Sequence, residues 1–549
     1  MPSAARRLAA FAALVLSAAC TKVGTTGTVS GGNPWTHHGR LVYAEAYDVK
    51  SLNPMLATSA PTLDLSYLIF SYAVRYDDKS QPVPDALREL PTLENGDVSR
   101  DGLRLTYKLR PDIYFHDGVR LTCRDLAFTW HAVMNPKNND ITQDGYRDIA
   151  SIDCRDPLVA VVHMKRPYAA FLQQLWGVNG NAPILPEHLL AKANDDKGSF
   201  NTAPFQSAPV GSGPFRFVRW DRGSQVVLRR FDRYFGGRPK LEEIVFKTVP
   251  DETTLVDQIR THEVDMGVHD TGNVWPSLQN IPGTVVAAVP VFTYDHLDFN
   301  LRRPVFADVN VRRALEMAVD RKLILDKVGH GLGDLTDTAL SPKISWAFTS
   351  DTAHFGYDLA KAKALLDASG WKAGPGGVRV KNGQRLAFTY STQTESTTGK
   401  AIQTVVQSMW RAAGCDVTVK NAPTAQFFDN TTAGILQGGH YDVAGFAWGG
   451  AADPDDSALY SGHNLAPRGQ NALYWNNPVA TAAMDDAAKT VDQARRKRDF
   501  AIEQQQFASD VPSIVLWYRR EPIIYNSDLR DFRYSPVISP FWNAQDYSI

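Results

Sequence analysis

The first pattern along the chain is an alternation of apolar and polar side chains over residues 103–110. The alternating apolar residues are Leu103, Leu105, Tyr107 and Leu109. A period of two residues predicts a strand with one buried face. The turn residues 116–118 follow, and Thr122 is placed to cap a helix over about 124–134.

Three later segments carry apolar residues at helical spacing. Asp308 is placed to cap a helix over 311–328, and Asp358 to cap a helix over 359–369. A third apolar stripe covers 402–413. Such stripes are far more often core-facing than cofactor-binding. Because strands and helices mix along the chain, we expect an α/β fold.

The charges exclude one broad class of function. The 549 residues include 58 Lys and Arg against 59 Asp and Glu, so no basic excess favours general nucleic-acid binding. The basic run 495–498 lies in a helical segment with several acidic residues. These are Asp485, Asp486, Asp492, Asp499 and Glu503. Mixed charges of this kind predict a solvated, salt-bridged helix face.

The N-terminus predicts export. Residues 1–20 combine two arginines, a short apolar stretch and small residues that end at Cys20, which is the pattern of a signal peptide. We expect Cys20 to be lipid-modified, with ordinary cleavage nearby as the alternative. The polar, Gly- and Thr-rich residues 21–39 predict a flexible tether. The protein is then periplasmic or at the cell surface, anchored to the membrane through its lipid.

Three further cysteines fit this compartment. Cys123 and Cys154 are 31 positions apart, and an exported protein permits a disulfide between them. If formed, it stabilises the fold by roughly 3–4 kcal/mol in the loop-entropy model. Cys415 is expected to be a small buried thiol. None of the three lies in a CxxC pair, so a zinc ribbon is not indicated.

A search for catalytic motifs finds none that is complete. Ala401 stands where a phosphate-binding loop needs Ser or Thr, and the glycines around Ser212 are too close for a nucleophile elbow. His262 is not followed by a second histidine at the spacing of a zinc protease. We therefore predict no catalytic, metal or cofactor site, and a hydrolase is the less favoured alternative.

A series of motifs in a fixed order carries a family resemblance. They are Leu52-Asn53-Pro54, Phe115-His116-Asp117-Gly118, Val210-Gly211-Ser212-Gly213-Pro214-Phe215, Pro304-Val305-Phe306, Val311-Arg312-Arg313-Ala314-Leu315, Asp320-Arg321 and Asp453-Pro454-Asp455. In these motifs the chain resembles bacterial extracellular solute-binding proteins of family 5, the oligopeptide- and dipeptide-binding class that serves ABC importers.

The resemblance implies an α/β fold of the two-lobed periplasmic-binding-protein type (type II, large peptide-binding cluster with an extra subdomain), which closes on its ligand by a hinge. Lobe one then comprises 40–75, 205–287 and 510–549. The extra subdomain comprises 76–204 and packs on lobe one, and lobe two comprises 288–509. The chain is expected to cross between the lobes near 289–299 and 509–515.

The function implied by the resemblance is capture of a peptide or related small solute in the cleft between the lobes. The protein, a monomer, then delivers it to ABC permease subunits in the inner membrane, without a cofactor or covalent chemistry. The same fold with a metal chelate, haem, an oligosaccharide or an opine as ligand is the alternative.

The resemblance also implies ligand-binding residues. In peptide binders of this class, an Asp shortly before an Asp-Pro-Asp motif pairs with the peptide amine, but this chain has Ala451 and Ala452 there. Asp453 then either contacts the amine or has a structural role in the turn. Trp448 forms a wall of the pocket or belongs to the core.

Four weaker candidates complete the expected site. Tyr47 and Asp48 fall where family members contact the ligand backbone. Trp176 and Trp346 lie in loops that are expected to face the cleft. For each of the four, the alternative is packing in the fold.

Overall fold

The computed structural model describes residues 32–56, 59–140, 142–178, 182–194, 199, 201, 204–268, 274–538 and 540–549. The predicted signal peptide, Cys20 and most of the predicted tether lie outside these residues. The strands of the described residues are β1 (Arg40–Glu45), β2 (Val74–Tyr76), β3 (Pro82–Pro84), β4 (Arg104–Lys108), β5 (Ile149–Asp156), β6 (Val159–Met164), β7 (Phe215–Asp221), β8 (Gln225–Arg230), β9 (Glu243–Thr248), β10 (Met266–Val268), β11 (Thr284–Phe299), β12 (Gly333–Asp334), β13 (Lys372–Ala373), β14 (Arg379–Lys381), β15 (Gln384–Arg385), β16 (Ala387–Ser391), β17 (Asp416–Val419), β18 (Val443–Gly449) and β19 (Ser513–Asn526).

The helices range from one turn to five turns. They are α1 (Ala60–Ile69), α2 (Cys123–Met134), α3 (Phe171–Gln174), α4 (Glu187–Leu190), α5 (Glu252–Arg260), α6 (Trp275–Leu278), α7 (Val309–Met317), α8 (Arg321–Lys327), α9 (Leu359–Ala368), α10 (Thr397–Ala413), α11 (Thr424–Phe427), α12 (Ser457–Tyr460), α13 (Pro478–Ala488) and α14 (Gln493–Asp510). Among the described residues, no helix combines the length and the apolar character needed to cross a membrane.

The two longest strands, β11 and β19, join the two halves of the main sheet. The sheet order is β17-β16-β18-β11-β19-β10-β1-β9-β8-β7, and β12 pairs with β19 beside this path. The two strands are antiparallel from the pair Thr284–Asn526 to the pair Asp298–Ser513. Their register shifts between Pro290 and Tyr294, so the ladder is interrupted between the two halves.

Each half of the sheet has its own core. In the first half, β1 runs parallel to β9 and β10, and the buried side chains of β1 pack under the 59–70 and 541–547 segments. In the second half, α7, α9 and α10 cover one face of the sheet, and Trp410 and Phe388 lie at the centre of that core. Apolar burial on this scale is the main source of stability.

A smaller antiparallel sheet, β4-β6-β5, packs with α2 within 76–204. A disulfide joins Cys123 at the start of α2 to Cys154 on β5, with a Cα–Cα distance of 5.6 Å. Cys415 is free and buried. The Thr122 and Asp125 side chains form a capping box at the start of α2. The helix predicted over 124–134 is therefore present.

One predicted helix is divided. The segment 311–328 forms α7 and α8 rather than a single helix. The carboxylate of Asp308 caps α7 by accepting a hydrogen bond from Asn310 N. The Asp320 carboxylate accepts a hydrogen bond from Leu323 N and so caps α8. Because Asp320 satisfies a free backbone amide there, it starts a new helix instead of continuing the old one.

The described end of the predicted tether, 32–39, is docked on the first half of the molecule. The Asn33 side-chain amide donates to Gly283 O at 3.0 Å, and the Thr36 hydroxyl donates to the Asp528 carboxylate at 2.6 Å. The Trp35 ring stacks on His262 with centroids 3.6 Å apart. The flexible tether was expected to extend to residue 39. In the structure, specific hydrogen bonds hold the last residues of that segment against the first half of the molecule.

Candidate ligand-binding site

Three adjoining cavities lie along β18, next to the place where the paired strands β11 and β19 pass from one half of the sheet to the other. We call them the polar cavity, which is bordered by Asp295, Glu395 and Arg519, the aromatic cavity, bordered by Phe428, Phe446 and Trp448, and the small cavity, bordered by Asp453, Asp456 and Tyr518. Their volumes are about 550, 680 and 200 Å³. The two larger volumes fall in the range of small-ligand sites.

The polar cavity presents both signs of charge. Arg519 on β19 holds Asp295 on β11 through two hydrogen bonds of 2.7 and 2.8 Å. The Glu395 carboxylate accepts hydrogen bonds from the hydroxyl and the backbone amide of Thr424, both at 2.8 Å, which lower the pKa of Glu395. Tyr47, from the loop after β1, borders the same cavity, which therefore has residues of both predicted lobes in its wall.

The aromatic cavity has apolar walls and a polar rim. Phe446 lies 5.7 Å from Phe428 and 6.4 Å from Trp448, measured between ring centroids. Three leucines complete the wall, namely Leu436, Leu459 and Leu473. At the rim, the Gln437 side chain donates to Pro467 O at 2.9 Å and to Gly469 O at 2.7 Å and so holds this loop in place.

His296 is the residue that links the two larger cavities. It lies on β11, is buried, and borders both of them. Its Nδ1 lies 2.8 Å from the Asp298 carboxylate, two residues along the same strand face. Its ring packs edge-on against Phe446 at 4.3 Å. No sequence motif marks this position.

At the small cavity, Asp453 is paired within the protein. Its two carboxylate oxygens accept hydrogen bonds of 2.7 and 2.6 Å from the Arg496 guanidinium, and only 9% and 7% of the two side chains are exposed. The Asp453 amide donates to Gln173 Oε1 at 2.7 Å. A peptide amine would have to compete with this guanidinium, so the geometry supports the structural role of Asp453 rather than the amine contact.

Two other acidic groups lie beside this ion pair. The carboxyl groups of Asp456 and Glu503 are hydrogen-bonded to each other. Burial raises the pKa of Asp456 to about 7, and burial together with the Asp456 charge raises the pKa of Glu503 well above its usual range. The pair therefore holds a proton under conditions where an exposed carboxyl group would have lost it.

The remaining predicted residues divide between cavity and core. Trp448 borders the aromatic and small cavities, and Tyr47 borders the polar cavity. Asp48 borders none of the three, although its Oδ1 is buried without a hydrogen-bond partner among the described residues.

Trp176 packs inside the fold, whereas Trp346 is partly exposed, and neither borders any of the three cavities. Trp176 is fully buried against Tyr107, and its indole N–H donates to Leu126 O at 3.0 Å. Trp346 packs edge-on against Phe500 and lies 5.6 Å from the Arg496 guanidinium. The full burial of Trp176 corrects the expectation that it faces the cleft, whereas a ligand contact of Trp346 stays a prediction.

Sequence reasoning missed the residues that make the cavities distinct, such as His296, Phe446 and the Asp295–Arg519 pair. The available signal was strand periodicity, since residues 294, 296 and 298 share one face of β11, and 446 and 448 share one face of β18. Register places His296 opposite Phe446. That pairing joins residues 150 positions apart, and no local motif encodes it.

Metal binding is not indicated within the described residues, where no group of three or more His, Cys, Asp or Glu is arranged to hold an ion.

Two α/β halves joined by two long strands, with cavities beside the place where these strands pass between the halves, define a two-lobed solute-binding protein. A family model, "Bacterial extracellular solute-binding proteins, family 5 Middle", matches residues 51–467. The chain belongs to this family.

Similar proteins cover nearly the whole chain. The oligopeptide-binding protein AppA of Bacillus subtilis is 24% identical over 527 residues, which are 94% of this chain and 93% of AppA. The solved structure of AppA with a nonapeptide has a TM-score of 0.70 at 23% identity and covers 92% of this chain and 98% of AppA. NikZ of Campylobacter jejuni, solved with Ni(L-His), has a TM-score of 0.73 at 24% identity and covers 93% and 99% of the two chains.

Proposed function

We propose that this protein captures peptides between its lobes and delivers them to the permease of an ABC importer. The observation that carries the proposal is the pair of adjoining cavities, one polar and one aromatic, beside the strands that join the lobes. The similarity to AppA, which is named as an oligopeptide-binding protein, supports the same function.

The two cavities match the two parts of a peptide. Peptide groups and charged termini need hydrogen-bonding partners, and the polar cavity offers Glu395, the Asp295–Arg519 pair and Tyr47. Apolar side chains gain free energy when they leave water, and the aromatic cavity offers that surface. Binding and release then require only movement of the lobes, so the protein performs no covalent chemistry.

The test is a ligand screen on the purified full chain in detergent. Native mass spectrometry first identifies any ligand that co-purifies, and the protein is then unfolded, stripped and refolded. Thermal unfolding is measured with peptides of two to eight residues, nickel–histidine, haem, oligosaccharides and opines. A ligand at 100 times its dissociation constant stabilises the protein by about 2.7 kcal/mol, which shifts the midpoint visibly.

The outcomes separate the alternatives. A shift with peptides of one length class, recovered intact afterwards, supports the proposal. A shift with a chelate, haem, sugar or opine but with no peptide overturns the peptide assignment and leaves the family intact. Cleavage of the peptide by the pure protein would instead identify a hydrolase.

We also propose that a lipid on Cys20 anchors the protein to the membrane. The signal-like residues before Cys20 support this part of the proposal. Cys20→Ser is expected to move the protein from the membrane fraction to the soluble fraction, while Thr21→Ser leaves it in the membrane. If the Cys20→Ser protein remains with the membrane after a salt wash, the lipid anchor is wrong.

A further inference from the structure

One buried polar atom between the two larger cavities lacks a partner. His296 is 3% exposed, and its Nε2 makes no hydrogen bond within the described part of the chain. Most buried polar side-chain atoms in proteins are paired with protein or water, so an unpaired one needs an explanation. His296 borders both the polar and the aromatic cavity, so a turn of its buried ring would bring Nε2 to a ligand there, which could then supply the missing partner.

The neighbours of His296 decide what kind of partner it needs. An ionised carboxylate only accepts hydrogen bonds, so the Asp298 carboxylate at 2.8 Å keeps a proton on His296 Nδ1. The Ser513 hydroxyl lies 3.4 Å from the same nitrogen. In the neutral imidazole, Nε2 is then the acceptor. In this neutral tautomer, the missing partner of Nε2 is a hydrogen-bond donor from the ligand.

The walls around His296 restrict the ligand further. Phe446, Phe428 and Trp448 give the aromatic cavity a flat-sided apolar wall, and its volume of about 680 Å³ admits a large ring. A group that fills this space and satisfies Nε2 is mostly apolar and carries one N–H or O–H. Tyrosine and tryptophan side chains have this composition, and their polar tips find a partner when buried.

We infer that the aromatic cavity binds a tyrosine or tryptophan side chain of the ligand, whose O–H or N–H donates to His296 Nε2. The inference rests on the proposed function because a peptide supplies this side chain. A phenylalanine side chain would fill the apolar space but leave Nε2 without its donor. Phenylalanine is therefore the informative comparison for tyrosine.

The first experiment uses side-chain analogues and so does not depend on peptide binding. The full chain is titrated with p-cresol, 3-methylindole and toluene, and binding is followed by ligand-observed NMR. We expect p-cresol to bind about 3- to 10-fold more tightly than toluene, which is the effect of one net hydrogen bond. Equal affinities, or tighter binding of toluene, in the wild-type protein would overturn the inference.

Variants then assign that preference to the histidine. His296→Phe keeps a ring but removes the acceptor, so the ratio between p-cresol and toluene should fall to about one. His463→Ala is the matched control, because His463 also pairs with a carboxylate, Asp485 at 3.2 Å, but is 69% exposed and borders none of the three cavities. This control should keep the wild-type ratio. The same loss in both variants would contradict a specific role for His296.

The second experiment uses alanine peptides of two to six residues with one Tyr, Trp or Phe at each position. Tyr and Trp peptides should bind about 3- to 10-fold more tightly than the matching Phe peptides. If peptides bind equally well with Phe, the inference fails while the proposed function stands. If no peptide binds but p-cresol is preferred over toluene, the proposed function fails and the cavity assignment stands.

Discussion

Asp453 and Asp456 lie three residues apart beside the small cavity, and their carboxyl groups are buried in different ways. Asp453 meets the guanidinium of Arg496, whereas Asp456 meets another carboxyl group, that of Glu503. Both partners come from α14, seven residues and about two turns apart on one helix face. The first pair keeps its charges and balances them, and the second shares a proton.

This difference shows that a buried carboxyl group can be stabilised in two ways, either by a counter-ion or by keeping its proton. An isolated buried carboxylate is very costly, so it must gain a counter-ion or remain neutral. Asp453 gains the counter-ion, while the pKa of Asp456 rises to about 7 instead. The two ends of one short turn therefore respond differently to mutation and to pH.

The largest effect is expected for Arg496→Met. Removal of the guanidinium leaves the Asp453 carboxylate buried and uncompensated, which costs about 3–5 kcal/mol. Urea unfolding at pH 7.5 measures this loss of unfolding free energy. The double variant Asp453→Leu, Arg496→Met should recover most of it, because apolar residues can replace a buried ion pair at little cost. If the double variant is as unstable as the single one, the charge imbalance is not the cause.

A smaller effect, with a defined sign, is expected for the carboxyl pair. The pKa of Asp456 is raised in the folded protein, so the folded state binds its proton more tightly than the unfolded state. This contribution to stability is complete below pH 4 and is lost progressively as the pH rises to about 7.

Glu503→Gln tests this pH dependence. It removes one of the two acids, so the unfolding free energy should change less between pH 4.5 and 7.5 than in the wild type. Because Gln stays neutral, the variant should also lose less stability at pH 7.5. An unchanged slope in urea titrations at both pH values would contradict the shared proton.

The smallest effect is expected for Arg495→Met, one residue from Arg496. Arg495 is half-exposed and lies 3.8 Å from the exposed Asp486 carboxylate. Such surface pairs contribute at most about 1 kcal/mol. The variant is therefore the control for Arg496→Met in the same urea experiment. A loss comparable to that of Arg496→Met would show that the helix, and not the buried ion pair, is sensitive to substitution.

Local features of the fold were predictable from the sequence. Asp358 caps α9 by accepting a hydrogen bond from Lys361 N, and β4 alternates between buried and more exposed residues as its pattern predicts. Family motifs identified the two-lobed fold, because many of them specify turns and strand entries. The division of α7 from α8 was missed, although Asp320 is itself a typical helix cap.

The site was less predictable because its contacts join distant residues. Trp448 was found through a family motif, but Arg496, which determines the role of Asp453, lies 43 positions away in a run expected to be solvated. In that run Arg496 is buried while Arg495, Lys497 and Arg498 are exposed. Charge counting along a helix shows that a mixed face exists, but only packing decides which arginine is buried.

The interruption in the β11–β19 ladder has a consequence for how stiffness is distributed in the molecule. Between Pro290 and Tyr294 the two strands have no register pairs, and β12 pairs with β19 at Arg519 instead. Bending at this point breaks no hydrogen bond between the two long strands, and the proline has no amide hydrogen to lose. Deuterium should therefore replace the amide hydrogens of residues 291 and 292 sooner than those of the paired residues on either side, so the stiff parts of these strands are the two paired stretches.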